Sequence, residues 1–278
     1  MANQSSRREF LASSAGAFLA MHSDGIPDHQ KEAPPGASSK GQVRLVSLEL
    51  LAAAPLAEMK DFYHRLLGLP VLEERKDRLT IYGGDTRLTF VAEKSGDQNP
   101  FYHFAFNIPE NKIVAAHTWQ KERTPLIPIP VKLRDPRYPD DVVDYSHWNA
   151  HSIFFFDPAG NVVEYIARHD LKNAQPGPFG STDILYASEI AFVVDEVASA
   201  ATELRKVVGI DQYRGGSDQF VALGDEHGLL LVMKRGRVIS FDAKETKAVS
   251  VFRTVVSVRG AQPAKYDFAK FPYKVSIL

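Results

Sequence analysis

The chain contains no cysteine. Disulfides, thiolate metal sites, cysteine nucleophiles and acyl-cysteine lipoprotein anchors are therefore excluded. Neither sign of charge is in excess: Lys plus Arg total 33 and Asp plus Glu 34, a net charge of -1. No basic block with interleaved aromatics occurs, so no nucleic-acid partner is expected. The G-x-S-x-G turn of serine hydrolases is missing, as are the glycine patterns of dinucleotide-binding and P-loop proteins. Beyond the N-terminal segment, apolar runs are too short to span a bilayer, and no stable membrane anchor is expected.

What is present fits a folded, soluble body. The 278 residues are 44% apolar and 24% charged, with 17 Phe, 10 Tyr and 2 Trp, enough for one large domain or two small ones. The first residues read differently. Ser6-Arg7-Arg8-Glu9-Phe10-Leu11 precedes a mild apolar stretch over 11–21, the charged and apolar regions of a secretory signal. Arg7-Arg8 followed by Phe10-Leu11 resembles a twin-arginine export signal, a route that carries proteins already folded. The resemblance implies a periplasmic or secreted protein. A polar stretch rich in Pro, Gly and Ser follows to residue 42 and reads as a flexible linker, so residues 1–42 are expected to be signal and linker.

The body repeats a unit. Three short strands each lead to a helix start six residues after an acidic residue or His: Glu49 before Pro55, His103 before Pro109, and Glu189 before Asp195. Pro in a first turn or Asp at a cap is what a helix start favours. Leu56, Met59, Tyr63 and Leu66 share one face of the first helix, and Val197, Ala201, Leu204 and Val208 one face of the third. The second, over 110–122, has Ile113 and Ala116 as its clearest apolar positions. Short β-rich runs follow each helix, at 71–74, 78–82 and 87–92, at 151–156 and 161–166, and at 219–223 and 229–234. Asp157-Pro158-Ala159-Gly160 reads as a hairpin turn. The expectation is α+β: repeated βαβββ modules, paired into a curved mixed sheet that encloses a cavity with helices outside. Residues 43–170 are expected to form one paired domain. Residues 183–278 are expected to hold a third module plus C-terminal strands, a degenerate second domain. A proline-dense insertion over 124–149 is either a surface excursion or a cover over a pocket.

Asp61-Phe62-Tyr63 ahead of Leu66-Leu67-Gly68-Leu69-Pro70, His103-Phe104-Ala105-Phe106 and the hairpin running from Phe156 to Glu164 together resemble the vicinal oxygen chelate superfamily. Glyoxalase I, bleomycin-resistance proteins and extradiol ring-cleaving dioxygenases belong to it. The resemblance implies paired modules around a concave site for a divalent ion, with ligands from the first and last strands. Carried over, His103 matches a first-strand ligand and Glu164 a last-strand ligand. The first module has no His in its opening strand, and alignment on the helix start puts Glu49 there, the candidate third ligand. His151, at the mouth of the closing hairpin, is a further candidate, as ligand or as catalytic general base. Ser152, Phe154 and Phe156 occupy the opposite face of its strand.

His147, Trp148 and Asn149 are candidates for a pocket rim, and Tyr102 and Asn107 flank the opening strand. Glu189 is in register with His103, but Val232-Met233 stand where Glu164 would match, so the third unit is expected to lack its own metal and to support the first domain. His227 reads as a surface residue. Leu88 or Thr89 at the last-strand position of the first unit argues against a four-ligand set.

The expected function is an exported, metal-dependent enzyme acting on a small oxygen-chelating substrate, glyoxalase-like or ring-cleaving, with Fe²⁺, Mn²⁺ or Zn²⁺ as cofactor. The alternative is a metal-free small-molecule-binding protein of the bleomycin-resistance type. A homodimer is compatible with either.

Overall fold

The computed structural model describes residues 42–94, 99–239, 247–259 and 263–278. The expected signal and linker, residues 1–42, lie outside them apart from Gln42.

Alternation sets the first strand: β1 (Arg44–Ala52) buries Leu48, Leu50 and Ala52 and leaves Ser47, Glu49 and Leu51 half-buried on its other face. Pro55 then opens α1 (Leu56–Lys60), which widens into a π turn over Asp61–Leu66, so that the Leu67 N–H donates to the carbonyl of Phe62. Strands β2 (Val71–Arg75), β3 (Arg78–Gly83) and β4 (Thr86–Ala92) complete the first unit. The second has β5 (His103–Ile108), α2 (Ile113–Lys121), β6 (Val143–Tyr145), β7 (Ala150–Phe156) and β8 (Val162–Arg168). The third has β9 (Tyr186–Val194), α3 (Val197–Val208), β10 (Gln212–Gly216), β11 (Phe220–Asp225) and β12 (Gly228–Lys234). After the short pair β13 (Val238–Ile239) and β14 (Lys247–Ala248), a reduced fourth unit follows with β15 (Thr254–Arg259), β16 (Ala264–Asp267) and β17 (Tyr273–Ile277).

The units pair in nested order. One sheet runs β16-β17-β15-β1-β4-β3-β2 and the other β10-β11-β12-β9-β5-β8-β7-β6. The first unit therefore joins the fourth through an antiparallel β1–β15 junction, and the second joins the third through β5–β9. A paired domain over 43–170 is not what forms: its two units lie in different sheets. The reason lies in β9. Every residue of it is buried, with apolar residues on both faces, so it serves as an interior strand alongside β5.

Two packed layers follow from the strand alternation. Phe104, Phe106, Phe155, Tyr165, Ile190 and Phe192 on one face of the second sheet join Leu48, Leu50, Phe90 and Val256 of the first in a single core, closed by the helices. Each fully buried side chain of this size stabilises by roughly 1.5–3 kcal/mol. Gly84, with φ +59°, turns β3 into β4 hard against the chain entering β9; a Cβ there would meet the Leu185 carbonyl oxygen at 2.0 Å. The opposite, concave face of the second sheet carries Ala105, Ile166, Ala191, Leu229 and Leu231. The proline-dense insertion lies across it as a strap. Ile127, Ile129, Tyr145 and Trp148 pack into that face, and the Ile127 N–H donates to the carbonyl of Phe154 at 2.8 Å.

Candidate metal centre

Strand register delivers three ligand-bearing side chains to one point of the concave face. Ala105 of β5 sits opposite both Glu164 of β8 and Glu189 of β9, and His103 lies two residues back on the same face as Ala105. One donor atom from each of His103, Glu164 and Glu189 lies within 4.8 Å of the others, and all three residues are buried. His103 Nε2 is 3.4 Å from Glu164 Oε2 and 3.8 Å from Glu189 Oε2. Two cis ligands each about 2.1 Å from one ion stand about 3 Å apart, so a modest contraction would complete the set.

The polar atoms around the cluster define its state. His103 Nδ1 is 3.1 Å from the carbonyl oxygen of Val162. A carbonyl only accepts, so Nδ1 carries a proton and Nε2 is the ring nitrogen that faces the two carboxylates. An imidazole nitrogen and two carboxylates this close and buried call for a proton or a cation between them. Burial, and then the charge of Glu189, push the Glu164 pKa well above the usual carboxylate range, with the Ser152 hydroxyl and then Arg168 opposing in part. The Arg168 guanidinium is fully buried and donates to Glu189 Oε1 through Nη2, leaving Glu189 Oε2 to face His103. A buried donor set of one imidazole and two carboxylates fits a divalent ion such as Fe²⁺, Mn²⁺ or Zn²⁺.

Among the described residues no fourth His, Cys, Asp or Glu joins the cluster. Glu189 pairs with Leu229 and Ala191 with Leu231, so Leu231 stands in β12 where Glu164 stands in β8. Sequence alignment alone put Val232-Met233 there, one or two residues too far.

The remaining expected site residues separate. Glu49 is in the other sheet, where its carboxylate pairs with Arg253 at 2.5 Å and Arg78 at 3.2 Å; it does not join the cluster. His151 projects from the far face of β7. Phe154 is the residue paired with Glu164, and strand alternation puts His151 on the other side. There its Nδ1 is 2.7 Å from His169 Nε2, its Nε2 is 3.4 Å from Asp135 Oδ2, and the Tyr138 ring stacks on it at 4.0 Å. Burial, then the neighbouring His169, lower its pKa. His151 thus pins the strap to the sheet. Trp148 is buried in the concave face, and Asn149 takes a left-handed conformation and donates to Asp170. The Tyr102 hydroxyl donates to the Arg253 carbonyl, tying the two sheets together. Asn107 accepts from Arg168 Nε and donates to the Tyr186 hydroxyl, which also meets His227 Nδ1 at 3.1 Å. A crevice of about 10 Å³, room for one water, reaches His103 between Phe101, Val193, Val249 and Phe252.

Sequence reasoning left Glu189 and Arg168 out of the site. Glu189 carried a signal, its register with His103. Arg168 carried a weaker one, since alternation from Glu164 through Ile166 places it on the same face.

No protein-family model and no curated protein matches the chain. Solved structures do. A Bacillus subtilis protein provisionally designated a dioxygenase aligns over 86% of both chains with 13% identity and a TM-score of 0.54. Glyoxalase I of Zea mays aligns over 85% of this chain and 92% of its own at 13% identity, TM-score 0.47. A glyoxalase/bleomycin resistance protein/dioxygenase of Alicyclobacillus acidocaldarius is covered over 94% of its length by 46% of this chain, at 19% identity and a TM-score of 0.34. The fold is similar to that of the Bacillus subtilis structure, here with βαβββ units paired into curved mixed sheets.

Proposed function

We propose that this chain is an exported, metal-dependent enzyme of the vicinal oxygen chelate type, glyoxalase-like or ring-cleaving, acting on a small substrate through two neighbouring oxygens. The observation that carries the reading is the convergence of His103 Nε2 with the buried carboxylates of Glu164 and Glu189. His103 Nε2, Glu164 Oε2 and Glu189 Oε2 would hold the ion. When bound, the ion supplies Lewis acidity that stabilises negative charge developing on the substrate oxygens.

The chain's own groups do the rest. Arg168 keeps one oxygen of Glu189 occupied and so fixes how the other is presented. Glu164 Oε1, the carboxylate oxygen turned away from His103, would take a proton from bound substrate. The apolar lining of Ile129, Phe154, Ile166 and Leu231 excludes water and strengthens each of these interactions. Export follows from the Arg7-Arg8 signal. Elemental analysis of gently purified native protein is expected to find about one equivalent of Fe, Mn or Zn. Less than about a tenth of an equivalent, with none regained on incubation, would overturn the reading.

The apolar, aromatic lining favours a second reading, a metal-free site that sequesters an apolar ligand. Ligand binding that persists unchanged in Glu164→Ala would select it.

A further inference from the structure

Arg168 is among the largest fully buried side chains of the molecule, and its bonding is incomplete. Nη2 donates to Glu189 and Nε to Asn107 Oδ1 at 3.2 Å, but Nη1 is buried with no hydrogen-bond partner. The guanidinium carbon lies 5.4 Å from the Trp148 ring centre and 6.0 Å from that of Tyr213. Those rings steady the charge. A buried guanidinium N–H without an acceptor is costly, and an anionic oxygen is the partner its geometry suits.

Nη1 belongs to the same guanidinium that bonds Glu189, so an oxygen accepting from it lies beside the ligand cluster.

We infer that Arg168 Nη1 is the anchor for a carboxylate on a small substrate acid that carries a second oxygen. This rests on the proposed metal site for the second oxygen, while the carboxylate anchor stands on Arg168 itself.

The test uses glycolate and its neutral isostere glycolamide as probes. Of the 2 tryptophans, Trp119 packs on Phe179 in α2 and Trp148 sits beside Arg168, so in a Trp119→Phe background the remaining fluorescence reports on the anchor. Both probes are titrated into the full chain, Mn²⁺-loaded and metal-free, with Mn content measured separately. Glycolate is expected to bind more tightly than glycolamide. Arg168→Lys, which keeps a cation beside Glu189 and removes the second donor, is expected to cut that preference at least about tenfold, the two probes being compared at the same measured Mn content. Arg168→Gln should do the same.

An unchanged preference in both variants would overturn the inference. So would equal loss of both probes together with loss of Mn, since Arg168 would then only position Glu189. If wild type takes up no Mn, the metal reading fails by itself. The metal-free titration then decides: an Arg168-dependent preference for glycolate sustains the anchor, and its absence removes it.

Discussion

At the place in β1 that matches His103 of β5 stands Glu49, and the two sheets differ most at the positions around it. In the second sheet Ala105 faces Glu164 and Glu189; in the first, the matching Leu51 faces Val91. One step beyond the Leu50–Thr254 pair, the same register brings Leu51 to Arg253. The trio of His, Glu and Glu thus becomes Glu, Val and Arg, and Arg253 and Arg78 neutralise Glu49 directly. Covering follows chemistry. The strap buries the second sheet's cluster, whereas Arg78 and Arg253 keep about two-fifths of their side-chain surface in solvent, at 40% and 41%. One backbone unit can host either an ion-binding face or a surface ion pair, and three side chains decide which.

Four substitutions or conditions sharpen this contrast. The largest effect is expected from Leu231→Glu, which puts a third carboxylate into the second sheet's concave face. Without metal it should cost roughly 3–5 kcal/mol, as an unpaired buried charge does, and metal should restore much of the loss. Denaturant unfolding with and without Mn²⁺ checks both; a variant indifferent to metal would place Leu231 away from the ion. Next, Glu164→Ala or His103→Ala should weaken metal binding by more than about 100-fold, beyond the effect of losing an outer-shell partner. Circular dichroism should show the fold retained, and elemental analysis the metal lost.

A smaller effect is expected from pH. The His151 pKa is lowered in the folded chain, so its contribution is present above about pH 6.5 and is lost as pH falls through the lowered value. Asp157 runs the other way. Burial raises its pKa to about 6, so its contribution is full below about pH 4 and is lost as pH rises through the folded value. Unfolding of His151→Gln beside wild type should show the wild-type advantage shrinking from pH about 7.5 to about 5. A constant difference would mean that His151 does not titrate with folding. The smallest effect belongs to Glu49→Gln. It breaks a half-exposed ion pair and should cost no more than about 1 kcal/mol, with metal content unchanged. Loss of metal in that variant would erase the distinction between the two sheets.

The repeat and its elements were legible because both rest on local signals. Period-2 alternation marks β1, β5 and β8, and Pro55 and the Asp157–Gly160 turn mark where the chain changes direction. His103 and Glu164 could be placed in their strands for the same reason. The pairing order could not, because β5 has two edges and nothing local says that β9 rather than β1 will occupy the free one. Glu189 went unassigned for that reason: its register was visible, but its nearness to His103 depended on the β5–β9 junction. The face of His151 failed similarly. Alternation separated it from Phe154, but only pairing with Glu164 showed that Phe154, and not His151, looks into the barrel. Arg168 shows how a long polar side chain escapes a reading by type, since Arg is seldom expected with its whole length in a core.

Nesting has a consequence for biosynthesis. The middle pair of units can close as soon as β12 leaves the ribosome, whereas β1 must wait for β15 and β17, made roughly two hundred residues later. Until then its outer edge stays open to any passing strand, a hazard that chaperones or delayed release would have to cover. A secretion route that accepts only finished proteins would in effect be inspecting that last seam.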